Sequence, residues 1–134
     1  MAKRCKSLIE VQSGAKCTCG GSPVIILACS GASNVGQLAN EVARRLSNGD
    51  SYKMSCLAGI GAHVPTIVET AKAARKVVVI DGCPVACGKK AADLSGVKIQ
   101  DHFIITELGI KKSYDLDIDA DTVSHITDRI RSSL

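Results

Sequence analysis

Tryptophan is absent from this chain, and Tyr52, Phe103 and Tyr114 are its only aromatic residues. So few rings leave little on which to stack nucleobases. Lys and Arg are scattered and the net charge of +4 is mild, so no nucleic-acid partner is expected. No stretch reaches the roughly 18 consecutive apolar residues of a membrane span. The opening Met1-Ala2-Lys3-Arg4-Cys5-Lys6 is basic but lacks the apolar run of a secretory signal. These absences predict a cytoplasmic protein without a membrane partner. No Ser-His-Asp set or carboxylate pair can be assembled, which argues against the commonest hydrolytic chemistries. There is no Cys-x-x-Cys pair either.

What is present is aliphatic residues and cysteine. The hydrophobic fraction is 46%, ample for one domain to build its own core. Seven cysteines are many for 134 residues, and the number is odd. A secreted mini-protein would read as a disulfide framework. Here the missing signal and the aliphatic core favour metal or thiol chemistry.

Residues 1–21 form a polar arm that ends in Cys17-Thr18-Cys19-Gly20-Gly21, and residues 22–134 form the domain. Val24–Ala28 is a continuous apolar run, the pattern of a strand buried on both faces in a parallel sheet. Ser33 caps a helix whose apolar positions Val35, Leu38, Ala39, Val42 and Leu46 repeat every 3.6 residues, and Asn48-Gly49 stops it. Tyr52–Cys56 is placed as a second strand. Pro65 opens a helix with Ile67, Val68, Ala71 and Ala74. Val77–Ile80 is the clearest strand. Pro84 is expected to start a third helix that fades by Gly96, followed by a strand at Phe103–Thr106 and a last helix capped near Asp121. Strand and helix alternate throughout. That order predicts a three-layer α/β fold, Rossmann/flavodoxin-like, with a mostly parallel four-stranded sheet and helices on both faces.

In this scheme Cys29, Cys56 and Cys83 end three successive strands, and Cys87 follows Cys83 by one helical turn. In a parallel sheet those ends share one edge, the edge where such folds bind ligands. Strands about 4.8 Å apart, with side-chain reach, can bring sulfurs to the roughly 3.8 Å separation of a tetrahedral thiolate site. A helix starting at Pro84 would aim its positive end at the cluster. The four are therefore candidate ligands for a soft metal such as zinc. Any one of them could instead be a small buried hydrophobe.

Cys29-Ser30-Gly31, Cys56-Leu57-Ala58-Gly59-Ile60-Gly61 and Asp81-Gly82-Cys83-Pro84-Val85-Ala86-Cys87 together resemble the DGC domain family, small proteins named after their central Asp-Gly-Cys. Three blocks match in order, over residues 23 to about 130. The resemblance implies zinc binding by Cys29, Cys56, Cys83 and Cys87, and it leaves the purpose open.

Other motifs fall short. Gly31-Ala32-Ser33-Asn34-Val35-Gly36 sits where a phosphate loop would, but Gln37-Leu38 replaces the Lys and hydroxyl. Gly59-Ile60-Gly61 lacks the third glycine of a dinucleotide fingerprint, with Val64 in its place. These glycines can instead let backbone N–H groups approach sulfur. Asp81 is either an acceptor or a thiol base beside the cluster, or a turn cap. His63, seven residues past Cys56, is a candidate fifth or replacement ligand but better suits capping the second helix or facing solvent, and His102 and His125 carry no assigned role. Cys19 is expected at the start of the first strand, the end opposite Cys29, so Cys5, Cys17 and Cys19 are treated separately, and the Cys17-Thr18-Cys19 step reads as a half-site, a redox pair or a reactive tail. Three uses suit the four-cysteine site. One is zinc sensing, carriage or buffering. Another is thiol redox or persulfide chemistry with Cys83 as nucleophile and Cys87 as resolving thiol. The third is an iron–sulfur cluster.

Overall fold

The computed structural model describes residues 23–49 and 51–134. Cys5, Cys17 and Cys19, and the arm that carries them, lie outside the described residues. Four parallel strands form one sheet in the order β2-β1-β3-β4: β1 (Val24–Ala28), β2 (Tyr52–Met54), β3 (Lys76–Asp81) and β4 (Asp101–Ile104). β1 and β3 form the centre. All five residues of β1 and the last five of β3 are buried, as their unbroken apolar runs require of strands covered on both faces.

Helices cover both faces, the expected three-layer α/β arrangement. Helices α1 (Asn34–Leu46) and α5 (Ala120–Arg131) pack over Val24, Ile26, Val78 and Ile80. The other face, with Ile25, Leu27, Val77 and Val79, is covered by α2 (Leu57–Gly61), α3 (Pro65–Lys72) and α4 (Cys87–Leu94). The strand period of two sends alternate side chains into the two cores. Each fully buried Val, Ile or Leu adds about 1.5–3 kcal/mol, so the two cores stabilise the domain from both sides.

Several local boundaries differ from the sequence expectation. α4 begins at Cys87, three residues after Pro84. Pro84 and Val85 form a turn closed by the Ala86 N–H on the Cys83 carbonyl at 3.0 Å, and Ala86 takes a left-handed φ of 53°. β2 stops at Met54, two residues short of Cys56, and a short helix, α2, occupies the segment that carries Gly59-Ile60-Gly61. β4 lies two residues earlier than expected, because Ile105 turns into the core and opens a 3-10 turn, Ile105–Leu108. The cap of α5 is Asp119, whose carboxylate accepts from the Thr122 N–H at 2.9 Å, and Asp121 falls in the first turn.

Candidate metal centre

β1 leads to α1 on one face and β3 leads to α4 on the other. Neighbouring strands whose connections leave on opposite faces open a crevice at their carboxyl ends. Cys29 directly follows β1, Cys83 follows β3 by two residues, and Cys87 is the first residue of α4. Cys56 follows β2 by two residues and caps α2, its sulfur accepting from the Gly59 N–H at 3.3 Å. All four thus sit beyond the carboxyl ends of parallel strands.

Their surroundings are unequal. Cys29, Cys56 and Cys87 line one cleft of about 590 Å³, walled largely by apolar atoms, with Met54, Ala58 and Ala91 among its other residues. Cys83 is not in that lining. It packs against the α1/α5 core, and the Lys112 ammonium donates to its sulfur at 3.5 Å. Because α4 starts only at Cys87, Cys83 and Cys87 do not share a helical face. Among the described residues, no three His, Cys, Asp or Glu side chains converge on a common metal position.

Cys29 is half buried. Burial pushes its thiol up from the ordinary value. Hydrogen bonds from the Gly82 and Gly31 N–H groups pull it back in part, and electrostatic interaction with nearby Asp81 and Cys87 adds to the rise. Backbone N–H donors to sulfur are the role expected of Gly31.

Sequence reasoning left Asp81 between two roles, and the structure gives it a capping one. Its carboxylate is only 1% exposed. Oδ1 accepts from the Gly88 N–H at 2.7 Å, and Oδ2 accepts from the Lys89 N–H at 3.0 Å. Asp81 therefore supplies, from the end of β3, the cap that Ala86 has no side chain to provide. His102 Nε2 lies 2.8 Å from Asp81 Oδ2 and completes the shell of a buried carboxylate. Gly82 has an equally definite task. A Cβ there would meet the backbone of Val35 and Gly36 at 2.8–2.9 Å, so only glycine lets the start of α1 lie against the end of β3. The Asp-Gly-Cys triplet thus anchors one helix, admits another and then presents a thiol.

Sequence reasoning missed His102 and Lys112. Each meets its partner across more than twenty residues of chain, so no local pattern marks it. His63 and His125 are exposed.

The DGC domain family matches residues 25–130, which is most of the chain and includes all four cysteines and the Asp81-Gly82-Cys83 triplet. The chain belongs to the DGC domain family. Among curated proteins it is similar to the anaerobic and virulence modulator AnvM of Pseudomonas aeruginosa strain PAO1. The two are 42% identical over 96 residues, spanning 72% of this chain and 73% of AnvM. No solved structure matches the chain. Among the described residues no helix is long and apolar enough to cross a membrane.

Proposed function

We propose that this DGC domain protein binds a thiophilic metal ion, zinc in the first instance, through Cys29, Cys56, Cys83 and Cys87, in order to sense, carry or buffer it. The observation that carries the reading is that three of these thiols line one cleft at the edge where parallel α/β folds hold ligands. The donor chemistry suits the ion, since thiolates are soft ligands and zinc accepts four of them. Zinc would need the cysteine side chains to turn toward one another, with Cys83 coming from outside the cleft. The modulator in the name of AnvM accords with a regulatory use of such a site. A structural staple is a poorer match, because two aliphatic cores already hold the sheet.

A second reading is thiol redox or sulfur transfer, with Cys83 as nucleophile and Cys87 as resolving thiol. The Pro84–Val85 turn that joins them, closed on the Cys83 carbonyl, favours it. Metal analysis with a visible spectrum of anaerobically purified protein tests both. About one zinc per chain and no colour is the expected result. A brown protein would mean an iron–sulfur cluster, and a metal-free one would favour thiol chemistry.

A further inference from the structure

Residues 109–119, between the 3-10 turn and α5, run without regular structure, and most of them are exposed. The segment is nevertheless tied down. Ile110 and Ile118 pack against the α1/α5 core near its two ends. Between them Asn34, the first residue of α1, clamps it with three hydrogen bonds. Asn34 Nδ2 donates to the Lys111 carbonyl at 2.9 Å, and Oδ1 accepts from the Ser113 N–H at 2.7 Å. The Asn34 N–H donates to the Ser113 carbonyl at 3.1 Å. Lys112 is therefore held on both sides, and its long side chain leaves a fixed backbone. It ends 3.5 Å from the Cys83 sulfur.

We infer that Lys112, placed by Asn34, is the counter-charge of the Cys83 sulfur and a positioning residue of the thiolate site. The inference rests on the reading of Cys83 as a metal ligand. Four thiolates around one divalent ion carry two net negative charges, and donors beside the sulfurs decide how well that charge is tolerated. Cys29 and Cys56 receive neutral backbone N–H groups from Gly31, Gly82 and Gly59. Among the described residues, Cys83 receives a cation. Asn34 suits the clamp because it offers a donor and an acceptor at once. An Asp there would turn a negative oxygen on the Lys111 carbonyl.

The first test needs no metal. Carboxymethylation of Cys83 by iodoacetate and its alkylation by iodoacetamide are followed by peptide mass spectrometry. The ratio of the two rates cancels the fraction of thiolate and reports the local charge. At low salt Lys112→Gln should lower that ratio about three- to ten-fold, and 1 M salt should erase the difference. Lys112→Arg should keep the wild-type ratio. Asn34→Ala, which removes the side-chain clamp without adding charge, should fall to the Lys112→Gln value, and the double variant should fall no further. Melting curves check that each variant is folded. In a zinc titration Lys112→Gln should weaken binding about two- to five-fold.

An equal ratio in wild type and Lys112→Gln overturns the pairing, whatever zinc does. A wild-type ratio in Asn34→Ala overturns the clamp. Unchanged zinc affinity in Cys83→Ser removes the four-thiolate reading instead, and the alkylation ratio still decides the Cys83–Lys112 pair.

Discussion

Helices α1 and α4 both start at the cysteine-bearing edge, one after β1 and one after β3, yet they are secured in opposite ways. α1 carries its own cap, with Ser33 Oγ accepting from the Gly36 N–H at 3.2 Å, three residues on. α4 has no local cap. Its first residues follow a left-handed Ala86, and their N–H groups go to Asp81 in the preceding strand. A local cap secures its helix alone. The remote cap also ties α4, and with it Cys87, to the central strand and to His102. The difference separates a helix secured within its own first turn from one whose cap also fixes the position of a candidate thiol ligand.

The comparison predicts unequal losses. Asp81→Ala should be the most damaging single change, about 3 kcal/mol, because it strands two N–H groups and the His102 ring at a buried position. Chemical denaturation measures it, and a loss below about 1 kcal/mol would mean that α4 is held by packing alone. Gly82→Ala and Gly88→Ala come next, at roughly 1–3 kcal/mol each. At Gly82 the new Cβ meets backbone of α1. At Gly88 it meets Asp81 Oδ1 at 2.8 Å and Val79 Cγ1 at 2.9 Å. The first contact cannot relax by side-chain rotation, so Gly82→Ala should unfold at the lower denaturant concentration. Ser33→Ala should cost about 1 kcal/mol, the ordinary worth of a local cap.

The smallest effect concerns pH. The folded Cys29 thiol ionises above the ordinary value of 9.0, chiefly through burial. The unfolded chain therefore releases this proton first, and the contribution of Cys29 to stability is complete below pH 9 and declines as the pH rises through the folded value. Melting temperatures of the metal-free protein and of Cys29→Ala should diverge less above pH 9 than at pH 7.

What was legible in the sequence follows the same division. Val24–Ala28 and Val77–Ile80 declare themselves by composition, and α1 by its period and its Ser33 cap, because each signal lies within the element it describes. The placement of four cysteines past strand ends was legible too, since it needs only the order of elements. The start of α4 was not. Pro84 suits a first helical turn, but the donors of that turn are claimed by Asp81, and the helix begins where the carboxylate can reach. The same blindness applies to Lys112 beside Cys83 and to His102 beside Asp81, contacts made only once the sheet has assembled.

The central claim is that the cysteine edge serves function and that the fold stands without metal. A zinc finger unfolds without its ion, because metal binding supplies most of its folding free energy. Here the α1/α5 and α2–α4 cores that flank the sheet are built from buried aliphatic side chains, and Cys29 and Cys83 only pack at the margin of the first. The most direct measurement is a zinc competition titration beside a circular-dichroism melt, on wild type and on Cys83→Ser. The variant should lose tight zinc binding and still melt cooperatively as an α/β protein, lower than zinc-loaded wild type because bound metal stabilises only the native state. A variant already unfolded at room temperature would make the metal structural and contradict the account, and one that kept wild-type zinc affinity would contradict the ligand assignment.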